Sequence, residues 1–337
     1  MSMDEKWQEL YSWYKRQEEW QDRVEKLMKA GFYERPSDGL TKEVAMRLYG
    51  EHFQDSITRI ERFSTCAFAH FLTYGLRLRE RQIYEFQPLD LGNVCHSALE
   101  YYSRRLQEEH LSWTEVDEDK RQEYIEAGVE HAITDYGNSV LYNSARSEYM
   151  IERMKRLLTR TIWALTKQLA VGDFVPSAYE MRFENGKIDR VDLCKDGEKV
   201  YVKVMDYKTG SKAFDVVALY HGLQLQLMVY MDAAVKKCQQ RYPESEVIPA
   251  GVFYYRIQDP LVEKELVQDE KEVDNAVLKE LKVDGMINLK DEVLEHLDHC
   301  QVGESQVIPI KYNKNGSLSK TSKVASEQEF EIMMQHA

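Results

Sequence analysis

The 337-residue chain has no run of about 18 apolar residues, so nothing in it is expected to span a membrane. Its start, Met1-Ser2-Met3-Asp4-Glu5-Lys6-Trp7, lacks the apolar core of a secretion signal and goes straight into an amphipathic pattern. Cysteine is scarce. Five of them (Cys66, Cys95, Cys194, Cys238, Cys300), odd in number and scattered, argue against a disulfide scaffold and for reduced thiols in a cytoplasmic setting. Positive charge is in deficit: 45 Lys and Arg against 58 Asp and Glu leave a net charge of −13. Autonomous nucleic-acid binders usually carry a basic excess, because affinity comes largely from neutralised phosphates. An acidic total still allows a local basic groove, but it implies that such a substrate is delivered by another domain or subunit.

What is present is an ordinary globular composition, 43% hydrophobic and 31% charged, enough for one large domain or two modest ones. Residues 4–30 read as a helix, with Trp7, Leu10, Tyr14, Val24, Leu27 and Met28 near helical spacing. Gly31 and Pro36-Ser37-Asp38-Gly39 end it. A segment rich in Arg and aromatics follows from Ile57 to Arg81. Asp90 or Asn93 is placed to cap a helix that begins near Gly92 and carries Val94, Ala98 and Leu99. Residues 115–172 read as mainly helical. The texture then changes: strands are expected over 177–184, 187–194 and 199–208, separated by Asn185-Gly186 and Asp196-Gly197, strong signals for tight hairpins. A helix over 215–239 and a strand from Ala250 to Arg256 follow. Helices are expected near 270–281, 289–299 and 326–335.

Two-residue bends fix register, so the meander can be read residue by residue. An Asp196-Gly197 bend sets Asp189 opposite Val204 and on one face with Asp206 and Lys208. Asp206 is then the diagonal neighbour of Asp189, roughly 7–8 Å away at the backbone. Like charges on one half-buried face repel unless something compensates them. A Mg²⁺ or Mn²⁺ ion would do so, lowering the pKa of a bound water and neutralising a phosphate. Lys208 is placed to orient the water or to stabilise transition-state charge. For Asp206-Tyr207-Lys208 alone, the competing reading is a strand end where acid and amine face solvent as an ion pair. Gln226 falls on a stripe with Leu219, Leu223 and Tyr230 and can hold Lys208, a water or a phosphate; a satisfied structural amide is the alternative. Gln224 points elsewhere. His96 is a lone helical histidine, a type more often structural than ligating, and Cys95 beside it points about 100° away and makes no dyad with it. An Asn185-Gly186 bend would put Glu180 opposite Val191, on the face of Asp189, as a further acidic contact or as surface.

These residues together resemble a known family. Gly186-Lys187-Ile188-Asp189-Arg190-Val191-Asp192, Asp206-Tyr207-Lys208-Thr209-Gly210-Ser211 and Gln224-Leu225-Gln226 are similar to the PD-(D/E)XK nucleases of the RecB type, and in detail to AddB (RexB) subunits of bacterial AddAB helicase–nucleases. Ser56 to Phe63, Cys66-Ala67-Phe68, Asp90-Leu91-Gly92-Asn93 with His96, and Ala250 to Tyr255 support the likeness, which runs from about residue 40 to the end. It implies an α/β fold with a restriction-endonuclease-like αβββαβ core, large helical insertions and flanking helices. It also implies Mg²⁺-dependent (or Mn²⁺-dependent) exonucleolytic cleavage of single-stranded DNA ends during double-strand break resection, beside an AddA-type helicase–nuclease subunit. Carried over by position, His96, Asp189 and Asp206 would contact metal, Lys208 would be catalytic and Gln226 would complete the motif. Cys66 matches the first of four cysteines that hold a 4Fe-4S cluster in the full-length family. The later three have no counterpart here, so no cluster is expected, and the chain reads as a fragment cut short of them and lacking the helicase-like N-terminal region. Cys66 is then expected as an ordinary buried thiol.

The organisation expected is an N-terminal helical segment over 1–50, a nuclease core over 51–258 with a helical insertion near 100–175, and an extension over 259–337 packing on the core. Two rivals stand beside this reading: another RecB-like nuclease (phage or CRISPR-associated), and a non-catalytic module that binds DNA ends or scaffolds a helicase.

Overall fold

The computed structural model describes residues 5–33, 39–51, 56–79, 88–135, 145–184, 186–262 and 269–337. Contacts divide the chain into two compact units, Met1–Phe53 and Gln54–Ala337. In the first, the helix expected over 4–30 is two helices, α1 (Glu5–Lys15) and α2 (Glu18–Gly31), followed by α3 (Lys42–Tyr49). The break at Arg16-Gln17 lets the Tyr14 ring meet Trp20 edge-on at 5.8 Å, a contact that one continuous helix would forbid at that spacing.

The second unit begins with α4 (Ile57–Thr65) and α5 (Ala67–His70), which runs into a π-turn over Phe71–Gly75. Three long helices follow: α6 (Pro88–Glu108), α7 (Glu118–Asp135) and α8 (Ala145–Leu169). Because α6 starts at Pro88, Asp90 and Asn93 lie inside its first turns and do not cap it. Proline suits the first turn of a helix, where its missing N–H costs nothing.

The sheet takes β1 (Val175–Phe183), β2 (Gly186–Asp196) and β3 (Lys199–Lys208) from the meander. Helices α9 (Val216–Tyr220) and α10 (Gln226–Arg241) lead across to β4 (Glu246–Arg256), which runs parallel to β3. After α11 (Glu270–Glu280), β5 (Asp284–Asn288) pairs antiparallel with β4. Helix α12 (Asp291–Leu297), the short β6 (Val324–Ala325) parallel to β5, and α13 (Glu327–His336) complete the unit. The six strands lie in chain order, β1 to β6. One face buries Tyr201, Met205, Tyr207, Phe253 and Tyr255 under α6, α7 and α8; the other buries Val200, Val202, Val204, Val252 and Tyr254 under α10. Among the described residues no helix is long and apolar enough to cross a membrane.

Both hairpin bends are displaced by one residue from the sequence expectation. Asp196 pairs with Lys199, so the second bend is Gly197-Glu198. Gly197 has φ +56°, and a bend with glycine at its first central position needs a positive φ only there. Phe183 pairs with Gly186, so the first bend spans positions 184 and 185; Asn185 itself lies outside the described residues. Val191 therefore sits between Ala178 and Val204, so Glu180 is not opposite Val191 and Asp189 is not opposite Val204. Moving a bend by one residue slides the pairing by two, which preserves the face of each side chain. It also brings Asp189 level with Asp206, since the neighbouring pair is Arg190 with Met205.

Candidate active site

The acids meet where the β2–β3 ladder gives out, just past its Arg190–Met205 pair. Strand β3 alternates strictly, which turns Asp206 and Lys208 toward α10. In β2, Ile188 and Val191 both join the α10-side core although they are three residues apart; Met181 and Ala178 do the same in β1. Alternation thus slips between them, at Glu180 and Asp189. Glu180 takes φ +49°, and the Glu180–Asp189 step is missing from the β1–β2 pairing, which is also irregular between Pro176 and Ala178. The slip leaves the Asp189 carboxylate just past the last β2–β3 pair, where its Oδ2 accepts from the Tyr207 backbone N–H at 2.7 Å. From the α6 side, His96 Nδ1 lies 3.3 Å from the same oxygen. Single ligand atoms of His96, Glu180 and Asp189 stand within 4.8 Å of one another.

The helix expected over 215–239 is interrupted between Tyr220 and Gln226, so the proposed stripe of Leu219, Leu223, Gln226 and Tyr230 does not lie on one helix. Gln224 closes the interruption: its Oε1 accepts from Asp215 N at 3.1 Å and its Nε2 donates to Ala213 O at 2.8 Å. Gln226 becomes the first residue of α10. Its Oε1 accepts from Lys208 Nζ at 3.1 Å, while its Nε2 donates to Asp206 Oδ1 at 3.1 Å and to the Tyr230 hydroxyl at 2.8 Å. Lys208 also ion-pairs with Asp206 Oδ2. One amide therefore fixes both the acid and the amine, with both its amide hydrogens engaged.

A residue inside the Ser56 to Phe63 stretch, given no role of its own by the sequence, supports this clamp. Glu61 of α4 accepts the Gln226 backbone N–H at 3.1 Å and lies 3.6 Å from Lys212 Nζ. The partners are 165 residues apart, and no local pattern reports such a contact. Behind the site, Arg190 grips Asp192 through Nη2 at 2.8 Å and through Nε, and Lys203 joins the same carboxylate at 2.8 Å. Arg190 and Asp192 are fully buried.

Burial, with the neighbouring Asp189 charge, pushes the Asp206 carboxyl up to about 6, against the pull of Lys208. Glu180 is raised by burial and by Asp189, with Lys187 opposing. For His96, burial works against the charged form, yet the carboxylates of Asp189, Asp206 and Glu180 outweigh it and the net shift is upward. Cys95 is no partner to His96: it is buried and its thiol is pushed up to about 12.

A stability test follows. Because the fold favours protonated Asp206, its stability contribution is fully present below the unfolded value near pH 4. It is lost as pH rises through about 6. Asp206→Asn is therefore expected to stabilise the cation-free chain by roughly 2–3 kcal/mol at pH 8, with the difference vanishing at pH 4. Urea unfolding at the two pH values measures it; equal stabilities at pH 8 would show that the acids are already compensated.

The family model of the PD-(D/E)XK nuclease superfamily matches residues 54–313. The chain belongs to this superfamily. The first 30 residues of this PD-(D/E)XK chain match a second model, the fifth domain of ATP-dependent helicase/deoxyribonuclease AddB. A subunit of the ATP-dependent helicase/deoxyribonuclease of Lachnoclostridium phytofermentans is 42% identical over 96% of this chain and 29% of its own length. The like-named subunits of Alkaliphilus oremlandii and a Thermoanaerobacter species are 32% and 31% identical, over 99% and 98% of this chain and 31% and 30% of theirs. The PD-(D/E)XK chain thus spans under a third of the length of these curated relatives.

The donor set fits a hard divalent cation: buried, neighbouring carboxylates, with Asp206 and Glu180 raised first by burial and then by Asp189, and an imidazole beside them. The cysteines do not fit an iron–sulfur cluster, which needs four thiolates. Among the described residues, neither group of potential ligand atoms holds more than one cysteine. Cys66 is exposed, contrary to the buried thiol expected, because it serves as N-cap of α5, its Sγ accepting from Ala69 N at 3.5 Å. A serine hydroxyl caps at least as well. Cys66→Ser is therefore expected to shift stability by no more than about 0.5 kcal/mol, read by thermal unfolding; a larger loss would mean that the thiol holds more than this cap.

Proposed function

We propose that this chain is the nuclease module of an AddAB-type helicase–nuclease, hydrolysing phosphodiester bonds of single-stranded DNA exonucleolytically with Mg²⁺ or Mn²⁺. The observation that carries the reading is the Gln226 clamp, which fixes Lys208 and Asp206 together beside His96, Glu180 and Asp189. His96, Glu180 and Lys208 border a cleft of about 510 Å³ that Lys187 and Thr209 also line. His96, Asp189 and Asp206, with Glu180 as a fourth donor, would hold the cation. When bound, it would lower the pKa of a water and offset charge on the scissile phosphate.

The chain's own groups do the rest. Lys208, held by Gln226, presents its ammonium to the phosphoryl oxygens, where negative charge grows as water attacks phosphorus and the leaving oxygen departs. The Tyr207 N–H and His96 orient Asp189, while Gln226 keeps Asp206 from turning toward solvent. The net charge of −13 is consistent with DNA handed over by the remainder of a larger assembly, in which an AddA-type subunit is the partner and the cytoplasm the place of action. Resection of double-strand breaks is the corresponding process.

The test is cleavage of end-labelled single-stranded DNA by the chain, alone and within the reconstituted helicase–nuclease, with Mg²⁺, with Mn²⁺ and with chelator. Cation-dependent release of short products from an end is expected. Binding of DNA ends without cleavage under every cation would replace this reading with that of a scaffold module.

A further inference from the structure

We propose that Asp173, Cys194 and His296 form a second metal site, separate from the acidic cleft, that takes a borderline divalent cation of the zinc type. Asp173 precedes β1, Cys194 lies in β2 and His296 in α12, yet one ligand atom from each stands within 4.8 Å of the others. Ligands around such an ion, bound at about 2.0–2.3 Å, stand roughly 3.3–3.8 Å apart. Closing the site therefore needs only small side-chain movements.

The surroundings are built for this meeting. The backbone of the segment before β1 is clasped to that after α12: Asp173 N donates to His296 O at 2.8 Å, and His299 N to Val171 O at 2.9 Å. Gly172 sits so close that a Cβ there would lie 2.5 Å from His296 O, so the approach depends on the missing side chain. Asp173 Oδ2 lies 2.8 Å from His296 Nδ1, and its Oδ1 lies 3.0 Å from His299 Nε2. His299 thereby orients the carboxylate, the usual task of a group just outside a metal's ligands. Asp196 adds negative charge 3.8 Å from His296 Nε2.

The donor chemistry selects the ion. A thiolate with an imidazole and a carboxylate suits zinc and its neighbours, whereas magnesium and calcium prefer oxygen alone. Three protein ligands leave a fourth position for water. Burial pushes the Cys194 thiol up to about 11, so binding must release its proton to solvent as the metal–sulfur bond forms. The bound ion would pin α12, and with it the chain after β4, to β2.

The experiment strips the whole chain with chelator and titrates it with Co²⁺, following the thiolate-to-cobalt charge-transfer band in the near ultraviolet. A band saturating at about one equivalent is expected. It should vanish in Cys194→Ser and survive in Asp189→Ala. Should Cys194→Ser fail to fold by circular dichroism, the half-exposed Asp173→Asn and the exposed His299→Gln carry the test, each weakening Co²⁺ binding roughly 10–100-fold in a folded chain. No band in the wild type, a band that persists in folded Cys194→Ser, affinity unmoved by both surface variants, or loss of the band in Asp189→Ala would overturn the proposal.

Discussion

Asp206→Ala is expected to lower cation-dependent cleavage of single-stranded DNA on the order of 10³-fold or more while leaving the chain folded. Asp206 is buried and shares Gln226 with Lys208, and burial, followed by the charge of Asp189, raises its carboxyl to about 6. Its removal deletes both a proposed cation ligand and the anchor of the amine. Lys208→Ala leaves the acids in place and should cost somewhat less, about 10²–10³-fold. The double variant should be little worse than Asp206→Ala, because groups acting as a unit are not additive. Single-turnover cleavage at saturating Mg²⁺ and again at Mn²⁺ measures all three. An Asp206→Ala chain cutting at the wild-type rate would remove the two-strand acid pair from the mechanism.

The second large effect is on stability. Asp192→Ala is expected to destabilise the chain by about 3–5 kcal/mol, since Arg190 and Lys203 would be left as buried charges without their shared carboxylate. In the native fold burial opposes ionisation of Asp192, but the two cations hold its carboxyl well below the usual range. Replacing all three by apolar residues of similar size should come out roughly neutral, because desolvation offsets most of the attraction within such a group. Denaturant unfolding distinguishes the two outcomes. A loss below about 1 kcal/mol in Asp192→Ala would mean that water reaches the triad.

Much of the site could be read from local sequence because most of it is local. Asn185-Gly186 and Asp196-Gly197 between alternating runs announce a meander, and both bends being off by one residue did no harm to the faces. What local pattern could not supply came from elsewhere in the chain. The interruption before Gln226 depends on Gln224 reaching back to Ala213. A glutamate at positive φ carries no sequence signature, so the slip at Glu180 and Asp189 was invisible. Strands β5 and β6 were not expected from local pattern; β5 exists because β4 offers an edge to pair with, and β6 because β5 does in turn. Helix α6 was legible as a helix, but not that His96 would arrive beside Asp189.

The same layout sets an order of assembly. Asp189, Asp206, Lys208 and Gln226 all belong to one short stretch of chain, and contacts between near neighbours close quickly because little loop entropy is lost. His96 and Glu61 must come in from far upstream. A folding chain would therefore bring its mutually repelling carboxylates together before the histidine docks, which makes α6 the natural late arrival and free divalent ion a potential accelerator of its docking.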